Sequence, residues 1–154
     1  MRAAAVLAAL WAGVLLCIGV FAAPSAFAVL ASHDAGRFAG RLLAQEAYLS
    51  LALAVLLLAI ERGRSRHSAA MGASSVLSAN ITLLLGTLFC TVAGYFAVQP
   101  MMAAARAGQG PLSFGVLHAV SGGFFVLKGL LVLALAWRLS APVPGAVRTT
   151  ATTS

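Results

Sequence analysis

The most constraining feature of this sequence is the length of its uncharged stretches. Neither Ala3 to Ser32 nor Ala69 to Ala105 contains a Lys, Arg, Asp or Glu. Each stretch exceeds the roughly 20 apolar residues that a helix needs to cross a bilayer. Only 8% of the 154 residues are charged, against roughly 25% in an ordinary soluble domain. The composition therefore excludes a soluble enzyme fold and a wholly disordered chain.

The apolar stretches predict an all-α integral membrane protein with four transmembrane helices. The spans cover about residues 5–31, 41–61, 76–99 and 112–137, and the turn-forming sequence GQGP at 108–111 precedes the last one. Because the connections are short, we expect an antiparallel four-helix bundle that forms a single domain over residues 1–139. Residues 140–154 are rich in Pro, Ala and Thr and predict a disordered cytoplasmic tail.

The first span has a second interpretation. Arg2 precedes it, and Ala26-Phe27-Ala28 matches the small-x-small pattern of a signal-peptide cleavage site. The apolar region of a signal peptide usually measures about 7–15 residues, whereas this one runs for more than about 20. An intact first helix is therefore favoured over a cleaved signal peptide.

The arginines near the span ends predict the orientation. In a four-span arrangement, six arginines fall on one side of the bilayer and three fall on the other: Arg2, Arg62, Arg64, Arg66, Arg138 and Arg148 against Arg37, Arg41 and Arg106. The positive-inside rule then places both termini of a multi-pass inner-membrane protein in the cytoplasm. The net charge of +7 is thus assigned to contact with the lipid bilayer. No nucleic-acid partner is expected.

Ionisable residues inside the spans are the candidate functional residues, because the bilayer centre disfavours each by at least about 2.5 kcal/mol. Helical rise places Glu46 between the depths of His118 and Lys128. Two interpretations remain open. Glu46 pairs with Lys128 or His118, or else it bonds to Arg41 or Gln45 at the interface while Lys128 reaches a helix carbonyl or water.

We predict an intramembrane polar site made of Glu46, Lys128, His118 and Ser121. Ser121 follows His118 by about one turn on nearly the same helix face. The glycines after Ser121 either permit close packing or leave room for a flat ligand. The accessory residues of the site are Arg41, Asn80 and His33, the last of which is expected in the outer loop.

Small residues at four-residue spacing predict where the helices contact one another. Such stripes let helix backbones approach closely in a membrane. They are Gly86, Cys90 and Gly94 in the third span, and Gly115, Ala119 and Gly123 in the fourth.

Recognisable catalytic and metal-binding motifs are missing, so no enzymatic activity is expected. The sequence contains no GxSxG, HExxH or P-loop motif, and the two cysteines have no CxxC spacing. His33, His118, Met101 and Met102 would supply copper ligands, but a packing role is favoured for the methionines. We therefore predict neither a metal site nor a cofactor.

The sequence resembles a bacterial domain-of-unknown-function family related to eukaryotic transmembrane protein 205, over residues 8–138. The resemblance is carried by Trp11-Ala12-Gly13, Ala23-Pro24 with Phe27, Asp34-Ala35-Gly36 with Ala39-Gly40 and Glu46, and Phe114 to Ser121 around His118. It implies a small four-helix membrane protein. Such families look similar in layout to membrane proteins of copper resistance or haem-dependent chemistry, in which histidines hold the cofactor.

Three hypotheses follow. The first is a non-enzymatic inner-membrane protein of small-solute or ion homeostasis, which acts through Glu46, Lys128 and His118. The second is a haem- or copper-binding redox protein that uses His118 and His33. The third is a structural assembly partner without a ligand. A homo-oligomer is compatible with each of them.

Overall fold

The computed structural model describes residues 2–70 and 78–141, and it describes side chains there except those of 67–70. Within these residues the chain forms four helices and no strand: α1 (Arg2–Val29), α2 (Ser32–Ala70), α3 (Ala79–Arg106) and α4 (Phe114–Ser140). All four are long and apolar enough to cross a membrane. The all-helical fold class is therefore confirmed. The disordered tail was predicted over residues 140–154, but Ser140 is the last residue of α4. Residues 142–154 and the predicted start of the third span near Val76 lie outside the described residues.

Two of the helices continue through a proline. The prediction ended the third span at Gln99, but α3 runs on through Pro100 to Arg106. A six-residue π-helical segment precedes each proline, Cys17–Ala22 before Pro24 and Val92–Ala97 before Pro100. Proline lacks an N–H group, and local π-helical hydrogen bonding re-satisfies the carbonyls that it leaves unpaired. The helices therefore continue where a soluble helix would stop.

The connections between the helices are short. Leu30 and Ala31 join α1 to α2, so that α2 begins nine residues before the predicted start of the second span at residue 41. Residues 107–113 join α3 to α4, and Gly108 and Gly110 adopt positive φ angles of 72° and 101° there. Glycine is the residue that tolerates this conformation without steric cost. Ser113 then caps α4 by accepting a hydrogen bond from the Val116 N–H.

The main packed core lies between the N-terminal half of α1 and the C-terminal half of α4. Small residues four apart on α1, Ala4, Ala8 and Ala12, are buried there and let the helices approach closely. From the other helices come Ala54, Leu57, Leu84, Val132, Leu135 and Leu139. A smaller cluster of Val98, Met102 and Leu117 joins α3 to α4 near the 107–113 connection. The helices are therefore tightly packed at the end of the bundle where α1 begins and α4 ends.

Large apolar side chains cover much of the outer surface. Trp137 is 82% exposed, and Phe21, Phe89 and Leu10 are each more than 60% exposed. Such a surface is unfavourable in water but suits a hydrocarbon environment. The exposed surface and the four apolar helices together suggest a multi-pass membrane protein surrounded by lipid.

Candidate functional site

A buried ion pair joins α2 to α4. The Lys128 ammonium donates hydrogen bonds to both carboxylate oxygens of Glu46, at 2.9 Å from Oε1 and 2.6 Å from Oε2. Each residue is only 3% exposed. Lys128 Nζ also lies 5.4 Å from the centre of the Phe125 ring, within the range of a cation–π contact. The sequence left two interpretations open. The structure shows the first of them, in the form of the Glu46–Lys128 contact.

The pair extends into a hydrogen-bonded chain that reaches a third helix. Ser50, one turn after Glu46 on α2, donates its hydroxyl hydrogen to Glu46 Oε1. The indole N–H of Trp11 on α1 in turn donates to Ser50 Oγ at 2.9 Å. Trp11 and Ser50 are each 1% exposed. A buried polar group without a partner is costly, and among the described residues each buried side-chain polar atom has a partner.

Ser50 and Trp11 were missed as site residues by the sequence analysis. The four-residue spacing of Glu46 and Ser50 was available, since it puts both side chains on one helix face. Trp11 offered no comparable signal, because nothing in the sequence reveals which helix face of α1 meets Ser50.

The ion pair forms the floor of a large cavity among the four helices. The cavity has a volume of about 1190 Å³, and Glu46 and Lys128 are among its lining residues. Its walls are mainly apolar side chains and glycines. At the other end lie Arg37 of α2, Arg106 of α3 and His118 of α4, all of which line the cavity and are exposed. The cavity therefore leads from a cationic rim to a buried ion pair.

His118 belongs to the cavity rim and not to the ion pair. It is exposed, and its ring stacks on Phe114, one turn earlier in α4, with centroids 5.8 Å apart. Arg106 packs on the same Phe114 ring, at 4.6 Å from its centre. Ten residues separate His118 from Lys128, which corresponds to about 15 Å along the helix. The predicted alternative, a Glu46–His118 contact, is not formed.

Ser121 also lines the cavity, but its hydroxyl is bonded to a neighbouring helix. Ser121 Oγ donates to the Gly94 carbonyl in the π-helical segment of α3, at 2.8 Å. A Cβ atom added to Gly94 would lie 2.5 Å from the Cβ of Phe124. Gly94 therefore permits the close approach of α3 and α4 that this hydrogen bond requires.

The predicted glycine stripes are half right. Gly86 and Gly94 on α3 both face α4, and a Cβ at Gly86 would lie 3.1 Å from Leu131 Cδ1. The stripe on α4 is wrong, because Gly115, Ala119 and Gly123 are exposed. The two glycines have open space at the Cβ position. The stripe on α3 packs against larger side chains of α4 and not against a second stripe.

The three predicted accessory residues occupy different places. His33 lines the cavity, but it lies in the first turn of α2 and not in a loop, with its Nδ1 3.5 Å from Asp34 Oδ1. Arg41 is exposed on α2 and does not line the cavity. Asn80 lies outside the cavity as well, at the end of the bundle that holds the termini.

Asn80 takes part in a second polar cluster. Its amide donates to Glu61 Oε2 on α2 at 3.2 Å, and its carbonyl accepts from Arg138 Nε on α4 at 3.1 Å. Glu61 is 5% exposed and forms an ion pair with Arg64. This cluster links α2, α3 and α4 near the beginning of α3.

The proposed cofactor ligands form no cluster. Within residues 2–70 and 78–141, no group of three or more His, Cys, Asp or Glu side chains is placed to hold a metal ion. His33, His118 and Met102 line the same cavity, whereas Met101 does not. The two histidines and Met102 therefore share the cavity without forming a group of three metal ligands in the described part of the chain.

The chain belongs to the family described as domain of unknown function DUF4149, whose model matches residues 6–110. The match includes α1, α2 and α3 and ends before α4, so the resemblance drawn over residues 8–138 is shown over this shorter range. The family is thereby established, while its link to transmembrane protein 205 is not. No curated protein and no solved structure matches the chain.

Proposed function

We propose that this protein is a four-span inner-membrane protein that binds a small ligand in the cavity between its helices. It takes part in the homeostasis of that ligand and does not transform it chemically. The helices cross the membrane antiparallel, with both termini in the cytoplasm. The cavity rim at Arg37, Arg106 and His118 then faces the opposite side of the membrane.

The observation that carries this proposal is the position of the Glu46–Lys128 pair at the floor of the cavity. Burying two charges costs more than a hydrophobic pair of the same volume, so a buried ion pair is poor support for stability alone. Ionisable groups at membrane depth mark ligand or ion paths more often than they serve as packing. A large, mostly apolar pocket with a few convergent polar groups is the usual form of a binding site.

The alternative is a structural scaffold without a ligand, in which the ion pair fixes the positions of α2 and α4. The position of the pair argues against it, because both side chains line a cavity of about 1190 Å³. A pair that served only to fix two helices would be expected inside a closely packed interface.

Cysteine labelling in intact membranes tests whether the cavity is an open binding site. Gly122 lines the cavity, whereas its neighbour Gly123 does not, and both have open space at the Cβ position. Gly122→Cys and Gly123→Cys are compared in a Cys17→Ser, Cys90→Ser background. A membrane-impermeant maleimide is added from the side of the 107–113 connection.

Gly122→Cys is expected to react and Gly123→Cys to stay unlabelled, because a thiol must ionise in water to react. Equal labelling after detergent solubilisation is the control that both thiols are intact. Labelling of Gly122→Cys that appears only after bound amphiphiles are washed from the membranes with delipidated albumin is what an occupied cavity gives. Absence of labelling both before and after that wash would contradict an open cavity, and with it the proposed function.

A further inference from the structure

We propose that the ligand of this cavity is an anionic amphiphile. Its negatively charged head binds at Arg37 and Arg106, and its acyl chain lies along the apolar walls toward the ion pair. This inference rests on the proposed function, because it specifies the ligand of the same site.

The first argument is the balance of charge in the chain. The sequence contains only three acidic residues. Glu46 pairs with Lys128, Glu61 pairs with Arg64, and Asp34 lies beside His33. Within the described residues, no carboxylate forms an ion pair with Arg37 or Arg106.

The second argument is the charge of the cavity itself. Its lining contains three cationic side chains, Arg37, Arg106 and Lys128, and a single carboxylate, Glu46. Because Lys128 and Glu46 neutralise each other at the floor, the excess positive charge is at the rim. Guanidinium groups bind carboxylates and phosphates by paired, charge-assisted hydrogen bonds. The rim therefore favours an anionic head group of either kind.

The third argument is the composition of the walls. Several apolar residues line the cavity and are at the same time exposed: Leu16, Val20 and Phe27 on α1, and Val126, Leu130 and Leu133 on α4. No residue of Cys17–Ala22 on α1 is buried. The cavity is therefore open sideways between α1 and α4, where the hydrocarbon of a bilayer would lie. An acyl chain can enter by this route without crossing water.

The fourth argument is size. Pockets for small ligands usually measure about 300–1,000 Å³, and this cavity of about 1190 Å³ exceeds that range. An inorganic ion or a small polar solute would leave most of the apolar wall without a partner. Nine residues separate Arg37 from Glu46, which gives about 14 Å of helix between rim and floor. This length suits an extended hydrocarbon chain.

Trp11 provides a reporter for the test. It is 1% exposed and lies next to the floor through its hydrogen bond to Ser50, so bulk lipid does not contact it. Replacing the only other tryptophan, Trp137→Phe, leaves Trp11 as the sole source of indole fluorescence. The purified protein in neutral detergent is titrated with dibromostearate, with dibrominated phosphatidic acid and with dibrominated stearyl alcohol. Bromine quenches the indole only at close range.

Saturable quenching is expected with at least one of the two anionic probes, and the probe with the higher affinity identifies a carboxylate or a phosphate head. The uncharged alcohol should bind at least about tenfold more weakly. The double variant Arg37→Gln, Arg106→Gln should lose at least about tenfold in affinity for the anionic probe. Arg41→Gln on the same α2 should lose nothing, because Arg41 does not line the cavity.

The position of the chain is tested by Gly122→Leu, which puts a side chain into the cavity and should weaken quenching, against Gly123→Leu, which should not change it. Equal quenching in both glycine variants would show contact from outside the cavity and would overturn the inference. Equal binding of the alcohol and the anions would overturn the anionic head even if the arginine variants fail to fold. In that case the cavity still binds a ligand, and the proposed function stands. If none of the three probes quenches the Trp11 fluorescence, the proposal of an amphiphilic ligand is wrong. Cysteine labelling at Gly122 then decides the proposed function separately.

Discussion

Lys128 lies within hydrogen-bond distance of both carboxylate oxygens of Glu46, although 82 residues separate the two in the sequence. The contact joins α2 to α4 at a depth where neither charge has bulk water. Each charged group is the hydrogen-bond partner of the other, and Ser50 donates a further hydrogen bond to the Glu46 carboxylate. The energetic consequence is strong coupling between the two residues.

A double-mutant cycle measures this coupling. Lys128→Met and Glu46→Leu should each lower the free energy of unfolding by about 3–5 kcal/mol, because each leaves an unpaired buried charge. The double variant should be more stable than the sum of the two losses predicts, by about 1 kcal/mol or more. The measurement is reversible unfolding in mixed micelles. Losses that add within about 0.5 kcal/mol would show that the two side chains do not interact.

The functional role of the pair is tested with the same double variant. If the pair serves the ligand site, the double variant should fold and insert at normal abundance. It should nevertheless fail to bind the ligand of the cavity. Arg41→Met removes a cation from an exposed position on α2 and serves as the control. Normal ligand binding by the well-folded double variant would contradict a functional role of the ion pair.

Ser50 should be a stabilising residue whose effect depends on Trp11. Ser50→Ala leaves the buried Trp11 N–H without an acceptor and should cost about 1–3 kcal/mol. In a Trp11→Phe background the same change should cost less, because no donor is stranded. Thermal unfolding monitored by circular dichroism provides the comparison. Trp137→Phe, at an 82% exposed position, should leave the unfolding temperature nearly unchanged.

The depth of the site could be predicted from the sequence, but its partners could not. The rise per residue placed Glu46 between Lys128 and His118 along the bundle axis. Which of the two it contacts depends on the rotation of α2 and α4 about their own axes, and that rotation is set by packing. The same rotation decides which face of a helix meets its neighbour. The sequence therefore did not reveal that Gly86 and Gly94 face α4 whereas Gly115 and Gly123 are exposed.

The helix count could be predicted because length and apolarity alone decide it. The end of the third helix could not, since Pro100 would terminate a helix in water but is accommodated here by a π-helical segment. Asn80 was predicted near the polar site because it is a polar residue within an apolar span. It lies instead at the beginning of α3, where Glu61 and Arg138 are the hydrogen-bond partners of its amide.

Gly94 and Gly123 should respond in opposite directions to the same substitution. Gly94→Ala places a Cβ 2.5 Å from the Cβ of Phe124, an atom that moves only with the α4 backbone. Overpacking of this kind should cost about 1–3 kcal/mol and weaken the Ser121 hydrogen bond to the Gly94 carbonyl. Gly123→Ala meets open space and should stabilise α4 by up to about 1 kcal/mol, since alanine favours the helix. Unfolding temperatures measured side by side give the two signs. A neutral Gly94→Ala would show that α3 and α4 are not in close contact.

The orientation of the bundle decides which side of the membrane the cavity rim faces. Six arginines on one side against three on the other predict both termini in the cytoplasm. A reporter that is active only outside the cytoplasm should therefore be silent when it is fused after Ser154 and active when it is inserted near Gly108. Removing the charge bias should weaken this orientation, so Arg62→Gln, Arg64→Gln and Arg66→Gln together, which leave three arginines on each side, should raise the signal after Ser154. Arg37→Gln, Arg41→Gln and Arg106→Gln together strengthen the bias and should leave both signals as they were. An active reporter after Ser154 in the unmodified chain would place Arg37 and Arg106 in the cytoplasm, and the anionic ligand would then reach the rim from that side.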